Sequence, residues 1–234
     1  MKLGLSQACY RWVVDPHLRR DAAGYLTGGE RLPYFSSLPL SVDEAEAPEW
    51  LIGRCHDLGL AFLYLTTSPM GDPTRADRIR RYGADRGVAL IGGAHANWVA
   101  TGDAWRPEYE RYVAQVPIAA AAGARILCTT HPVGVIEDPV DAARTIARYT
   151  VTMHLKDFRV QPATQIGEPR IFWAPLGRGD IELERILAVV QAQAPDPANL
   201  PLCLEVAPPP DADADVWLRD SLAWVRQNLA RFLS

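Results

Sequence analysis

The sequence lacks the long apolar runs that mark membrane proteins. None of its 234 residues falls in a stretch approaching the roughly 20 consecutive apolar residues that a spanning helix needs. The N-terminal residues 1–5 contain no signal-peptide core or cleavage site and are typical of a strand. We therefore expect a cytoplasmic protein with no membrane partner.

Paired cysteines and a basic excess are also missing. The four cysteines are far apart and form no CxxC pair, which disfavours a disulfide framework or a zinc knuckle and favours reduced, buried thiols. The net charge of −4 gives no electrostatic reason for binding nucleic acid, whose partners usually show a basic excess. We therefore expect reduced thiols and no nucleic-acid partner.

Short apolar runs alternate with longer helical patterns along the whole chain. Six runs are predicted as buried strands: residues 3–6, 61–65, 88–91, 125–128, 150–155 and 202–206. Glycines at 59, 87 and 123 fit the left-handed conformation that often ends a helix before the next strand. Alternation of this kind predicts a parallel sheet with right-handed crossovers, and hence one α/β domain over residues 1–234, a (βα)-barrel of the TIM type.

The barrel is predicted to be shortened, because six strand–helix units are found where a closed barrel of this type has eight. Residues 129–149 leave room for one helix but not for two further strands. We therefore expect an open or distorted barrel with a free edge between the strands at 125–128 and 150–155. Displaced strands or a homodimer would cover that edge.

Helical periodicity places several apolar residues on single faces. Tyr109, Tyr112, Val113 and Val116 follow one such spacing, and Leu218, Leu222, Val225, Leu229 and Phe232 another. Asp180 is predicted as the N-cap of a helix that carries Ile186 and Leu187. Residues 11–40 and 161–176 are predicted as long βα loops over the barrel mouth.

The strongest local signal lies in the run from Val151 to Phe158. Strand alternation sends Thr152, His154 and Lys156 to one side, where burying a His and a Lys is costly unless they bind something. Glu205 poses the same problem on the last predicted strand. A carboxylate and an imidazole on neighbouring strand ends suit a divalent metal, while a purely structural His–Glu hydrogen bond is the alternative.

Other polar residues follow the predicted strands, where functional groups of such barrels lie. Arg11, His95, Asp157 and Arg159 are candidate substrate contacts, with Arg159 suited to an anionic group of a sugar or sugar acid. For His95, an ordinary loop role is an equal alternative. His131 lies at the end of the fourth predicted strand and is a candidate third metal ligand, ahead of Glu137 and Asp138.

Several motifs stand out: residues 1–12, the HLKDF run at 154–158, the APLGRGD run at 174–180, the LEV run at 204–206 and the SLAW run at 221–224. Together they resemble the xylose-isomerase-like TIM barrels, a superfamily of sugar phosphate isomerases and epimerases. The family's fifth βα unit and part of its sixth have no counterpart in this chain. The resemblance indicates the fold more specifically than the substrate, because the superfamily also holds dehydratases and endonucleases.

The resemblance implies a divalent metal, manganese first and magnesium, cobalt or zinc as alternatives. The family holds this ion with a Glu, an Asp, a His and a second Glu. His154 matches the family's His, Glu205 its final Glu, and Lys156 a substrate-facing lysine, whereas the other two ligands are missing here. The implied reaction polarises a sugar carbonyl and moves a proton on the adjacent carbon through an enediolate.

The leading hypothesis is therefore a metal-dependent isomerase or epimerase of a small sugar, sugar phosphate or polyol. In it Glu205 is ligand and base, His154 a ligand and Lys156 an electrophilic or proton-relay group. The alternative is a shortened, non-catalytic relative with a degraded metal site. An endonuclease-like function is disfavoured by the acidic charge balance.

Overall fold

The computed structural model describes residues 1–10, 19–20, 26–27, 46–94, 105–129, 139–161, 170–206, 208 and 212–234. The strands are β1 (Lys2–Ser6), β2 (Arg19–Arg20), β3 (Leu26–Thr27), β4 (Phe62–Thr66), β5 (Ala89–Ala94), β6 (Leu127–Thr129), β7 (Met153–Leu155), β8 (Asp157–Gln161), β9 (Arg170–Ala174) and β10 (Pro201–Leu204). The helices are α1 (Ala47–Asp57), α2 (Thr67–Met70), α3 (Pro73–Ala84), α4 (Trp105–Ala121), α5 (Pro139–Ile146), α6 (Leu183–Gln193) and α7 (Ala214–Asn228). Short 3₁₀ segments span Gln7–Tyr10, Ala147–Tyr149 and Ala230–Phe232.

Six of these strands form one parallel sheet in the order β6-β5-β4-β1-β10-β7. Each of the six predicted strands has a counterpart in it, with ends shifted by up to three residues. Hydrogen bonding is parallel throughout, as right-handed βα crossovers require. The predicted shortened (βα)-barrel architecture is confirmed.

The two faces of the sheet bury different side chains. Leu63 and Leu65 of β4 belong to the large cluster that the sheet forms with its helices, for example with Leu51 of α1. Phe62 and Tyr64, which alternate with them, form a second cluster with Ile91 and Cys203. The alternation of side chains along a strand explains this division.

The second cluster lies on a concave face. The rings of Tyr64 on β4 and His154 on β7 are 4.5 Å apart between centroids, although β1 and β10 lie between their strands. A flat sheet would separate strands three positions apart by about 14 Å. The sheet therefore curves around these rings, which lie in what would be the barrel interior.

The free edges fall where the sequence predicts them. Among the described residues, β6 and β7 are the outer strands of the sheet, each paired on one side. Residues 130–138, which follow β6, lie outside the described part of the chain. Strand displacement or a homodimer across this opening stays a prediction.

Two predictions about helix ends and faces are confirmed and one is wrong. Gly59, Gly87 and Gly123 all have positive φ, as expected for glycines that end helices. The apolar face of the last helix is confirmed, with Leu218, Leu222, Val225, Leu229 and Phe232 all buried. The predicted Asp180 N-cap is wrong, because α6 begins at Leu183 with Glu182 as its N-cap residue.

The apolar face predicted for α4 is the second correction. Tyr109, Val113 and Val116 are 44–50% exposed, while Ala119 is buried and Ile118 packs against the core. The Tyr109–Val116 periodicity is real, but it points away from the sheet. Periodicity gives a stripe and not the direction in which the stripe faces.

The predicted loop at 161–176 is the third correction. Its second half contains β9, which pairs antiparallel with β8 in a hairpin from Asp157↔Ala174 to Gln161↔Arg170. The predicted loop at 11–40 lies outside the described residues except for the small pair β2 and β3. Among the described helices, none is long and apolar enough to cross a bilayer.

Candidate active site

Parallel pairing of β7 and β10 places Glu205 beside His154 and Lys156. The register joins Cys203 to His154 and Leu204 to Leu155. One residue further on, the Glu205 amide donates to the Leu155 carbonyl at 3.0 Å. This bond sets Glu205 level with the chain just after Leu155. His154 and Lys156, on either side of Leu155, direct their side chains to the same face.

The Glu205 carboxylate has a cationic or hydrogen-bonding partner on each oxygen. The His154 Nδ1–H donates to Oε2, and Lys156 Nζ lies 2.8 Å from Oε1. The Glu205 side chain is only 14% exposed, whereas Lys156 is 34% exposed and reaches toward solvent. The sequence-predicted group of His154, Lys156 and Glu205 is therefore brought together.

The electrostatics of the group keep Glu205 ionised. Burial by itself would raise the pKa of Glu205, but the hydrogen bond from His154 and the charge of Lys156 outweigh burial and lower that pKa below its ordinary value. The ionised Glu205 carboxylate is thus held between the His154 ring and the Lys156 side chain. Such a carboxylate can accept a proton when one of its partners moves away.

Two aromatic rings, those of Tyr64 and Trp173, border this group, and neither was predicted from the sequence. Tyr64 meets the His154 ring edge-on at an interplanar angle of 80°. Trp173 on β9 lies under Lys156, with Nζ 5.6 Å from the ring centroid, and packs against Phe158 at 4.7 Å. Alternation of Phe62, Tyr64 and Thr66 along β4 was the available signal for Tyr64, whereas no sequence signal indicated the β9 pairing that places Trp173.

Asp157 anchors the loop that follows the hairpin. Its carboxylate accepts from the backbone amides of Phe158, Gly177 and Gly179 at 2.9 Å and of Ile181 at 3.2 Å. Its side chain is buried. Substrate binding by Asp157, which the sequence predicts, would require the carboxylate to leave these four donors. In this structure the carboxylate anchors backbone amides beside the site, and substrate binding by Asp157 stays a prediction.

Glycine is required where this loop comes close. A Cβ on Gly179 would lie 2.1 Å from Asp157 Oδ1 and 2.5 Å from the Phe158 carbonyl oxygen. Gly177 has φ +78° and would press a Cβ into the Trp224 ring. The APLGRGD motif thus encodes an anion-binding backbone loop whose anion is the protein's own carboxylate.

The remaining predicted contacts divide into two groups. Arg159 is exposed, and its Nε donates to the Arg178 carbonyl at 3.2 Å, so the guanidinium keeps further donors on the solvent side of the hairpin. Arg11, His95 and His131 lie outside the described residues. Their roles stay predictions.

The described side chains do not fit a divalent metal. Among them no group of three His, Cys, Asp or Glu residues could hold an ion, whereas catalytic metals usually keep three protein ligands. His154 and Glu205 are also bonded to each other, and the Lys156 ammonium takes the second carboxylate oxygen. The arrangement resembles an acid–base group more closely than a metal cage.

Known proteins resemble this chain in structure, whereas none matches it in sequence. Neither the protein-family models nor the curated protein sequences gave a match. D-psicose 3-epimerase with D-tagatose from Clostridium cellulolyticum H10 is 12% identical, with a TM-score of 0.55 and an alignment that covers 100% of both chains. D-psicose 3-epimerase in the presence of D-fructose is 10% identical, with a TM-score of 0.53 over 98% of this chain and 99% of that one.

A third similar structure has a different activity. The probable 3-DHS dehydratase AsbF, involved in petrobactin synthesis in Bacillus anthracis, is 11% identical, with a TM-score of 0.51 over 97% of this chain and 99% of that one. At these identities the likeness concerns the fold and not the reaction. The chain therefore shares its fold with these three structures.

Proposed function

We propose that this chain is an isomerase acting on a small sugar or sugar phosphate, with Glu205 as the group that moves the proton. The observation that carries the proposal is the largely buried carboxylate held between His154 and Lys156 at the C-terminal ends of β7 and β10. This end of the strands is where (βα)-barrel enzymes carry their chemistry. Structural likeness to two sugar epimerases supports the choice of substrate class.

Substrate binding would activate the base by exchanging partners. Lys156 Nζ lies 2.8 Å from Glu205 Oε1, and the charge that develops on the sugar carbonyl oxygen draws the ammonium from the carboxylate to that oxygen. Loss of this cation raises the proton affinity of Glu205, so that the freed oxygen becomes a better base. His154 keeps the carboxylate oriented through the other oxygen.

The proton transfer then balances as follows. Glu205 takes the proton from the carbon beside the carbonyl, and the C–H electron pair forms the carbon–carbon double bond of an enediolate. The carbonyl electrons move to the oxygen, where Lys156 stabilises the charge. Glu205 returns the proton to the former carbonyl carbon, and a proton passes between the two oxygens, which converts a ketose into an aldose or the reverse.

One base favours isomerisation over epimerisation. Removing and returning a proton on the same face needs one carboxylate, whereas inversion of a carbon needs an acid on the opposite face. Within the described part of the site, Glu205 is the carboxylate that could remove and return the proton on one face. Epimerisation would need a second group from residues outside the described ranges.

A divalent metal, manganese first, is what the family resemblance implies, but the described donors do not complete a site for it. Binding without turnover is the second candidate function. The incomplete metal site favours this second function, because two of the four ligands that the resemblance implies are missing from the sequence. Conversion of a sugar decides between the two functions.

The test is product analysis of a panel of pentoses and hexoses, aldoses and ketoses, with and without a phosphate, by ¹³C NMR. Wild type should convert at least one member, and Glu205→Gln should lower its rate by about 10²–10⁴-fold, the usual contribution of a general base. Glu182→Gln is the matched control, since this exposed glutamate pairs with Arg185 and not with His154 or Lys156. No conversion of any panel member by wild type would favour the binding function.

A further inference from the structure

The hydrogen-bond ladder that carries Glu205 ends just before it. The register between β1 and β10 runs from Lys2↔Pro201 to Leu5↔Leu204. After Ser6 the chain turns into the 3₁₀ segment Gln7–Tyr10, so β1 supplies no further rung. The backbone around Glu205 needs another partner on the β1 side.

Cys9 supplies that partner. Its Sγ–H donates to the Leu204 carbonyl at 3.2 Å, and its sulfur accepts from the Val206 amide at 3.4 Å. These are the two backbone groups that flank Glu205. Burial raises the pKa of Cys9 to about 12, so the thiol stays protonated and keeps its donor.

Glu205 is thereby fixed from both sides. On the β7 side its own amide donates to the Leu155 carbonyl, and on the β1 side Cys9 bridges its two neighbours. Cys9 is 1% exposed, and its hydrogen bonds go to the backbone on either side of Glu205. Cys9 therefore acts on the site through the position of Glu205.

We propose that Cys9 is a positioning residue, whose thiol replaces the missing rung of the β1–β10 ladder and holds Glu205 against His154 and Lys156. The importance of this position for turnover rests on the proposed function. The geometric claim does not, because the contact between His154 and Glu205 exists in the free protein.

A second buried cysteine provides a matched control. Cys55 of α1 is fully buried, and its thiol makes a long contact of 3.6 Å with the Phe62 carbonyl. Cys55 lies close enough to Cys9 to interact with it electrostatically, but its hydrogen bond goes to Phe62 and not to the backbone beside Glu205. Cys55→Ala removes the same atoms from this part of the core, so it reports the cost of losing a buried thiol without losing the bridge to Leu204 and Val206.

The test compares Cys9→Ala, Cys9→Ser and Cys55→Ala by proton NMR of the intact chain. The readout is the low-field resonance of the His154 Nδ1 proton, assigned by its loss in His154→Gln. We expect Cys9→Ala to shift or lose this resonance and to lower kcat about tenfold or more, as small misplacements of catalytic groups do. Cys9→Ser should retain the resonance, because a hydroxyl both donates and accepts, and Cys55→Ala should lower only the Tm.

An unchanged resonance in Cys9→Ala would overturn the proposal. If that variant does not fold, a folded Cys9→Ser that loses the resonance overturns it equally. Wild type with a normal resonance but no sugar conversion would count against the proposed function and leave the positioning claim intact.

Discussion

Replacing Asp157 by Asn should destabilise the fold severely. The two side chains have nearly the same shape, but the carboxylate accepts two backbone N–H groups on each oxygen, from Gly177 and Gly179 on Oδ2 and from Phe158 and Ile181 on Oδ1. An amide keeps one acceptor oxygen and turns an NH₂ group toward two donors. Two charge-assisted hydrogen bonds are lost and their donors remain unpaired.

The magnitude follows from those two bonds. Each hydrogen bond to a charged group contributes about 1.5–3 kcal/mol, so the loss of two should lower the free energy of unfolding by roughly 3–6 kcal/mol. For a domain of this size the Tm should fall by about 10 °C. Urea unfolding followed by tryptophan fluorescence measures the change, with an unchanged m-value as the sign that only stability is affected.

The matched control is Asp141→Asn. Asp141 is an exposed carboxylate at the start of α5 that pairs with Arg144, and such surface pairs contribute about 0–1 kcal/mol. If Asp157→Asn changes stability no more than Asp141→Asn does, the role of Asp157 as an anchor for four amides is refuted.

Three further predictions concern the loop, the acid range and metal. Gly179→Ala should destabilise the protein, because the new Cβ would lie 2.1 Å from Asp157 Oδ1. Gly53→Ala, in the open interior of α1, should instead stabilise the protein by about 0.5–1 kcal/mol. Thermal melts compare the two variants. The folded-state pKa of Glu205 lies below its ordinary value of 4.5. Glu205 therefore stabilises the fold above pH 4.5 and loses this contribution as pH falls through the lowered pKa. Urea melts of wild type and Glu205→Gln should accordingly converge in acid. Elemental analysis should find less than one equivalent of manganese, magnesium, cobalt or zinc, since the described donors supply two ligands where three are usual.

Each of these three has a contradicting outcome. Equal effects of the two glycine substitutions would show that the close approach to Asp157 is not limiting. A stability difference between wild type and Glu205→Gln that stays constant from neutral pH to the acid limit of folding would contradict the ion pairs of Glu205. One equivalent of metal that is lost in both His154→Ala and Glu205→Ala would mean that residues such as His131 complete a metal site.

The strands and the central site residues could be predicted because both depend on local alternation. Thr152, His154 and Lys156 share a strand face whatever the rest of the chain does, and a buried polar face demands a partner. Parallel strands that end at one edge then bring Glu205 to the same place. The positive φ of Gly59 follows equally from local chemistry, since glycine alone adopts it without cost.

What could not be predicted depends on which elements meet in space. Cys9 and Val206 are 197 residues apart in sequence, and only the order β4-β1-β10 brings them together. The exposed direction of the Tyr109 and Val113 stripe depends on how α4 is rolled on the sheet, which periodicity does not specify. Asp157 was grouped with the reactive residues because it follows Lys156, but the next peptide turns its side chain into the glycine loop.

The central claim is that Glu205 removes a proton from the carbon beside a sugar carbonyl, and proton exchange with solvent tests it most directly. The protein is incubated in D₂O with each sugar of the panel, and deuterium at that carbon is followed by NMR. We predict that wild type incorporates deuterium into at least one sugar, and that Glu205→Gln lowers the rate at least about 10²-fold while Glu182→Gln does not. Deuterium incorporation that proceeds equally in wild type and Glu205→Gln, or in neither, would contradict the account.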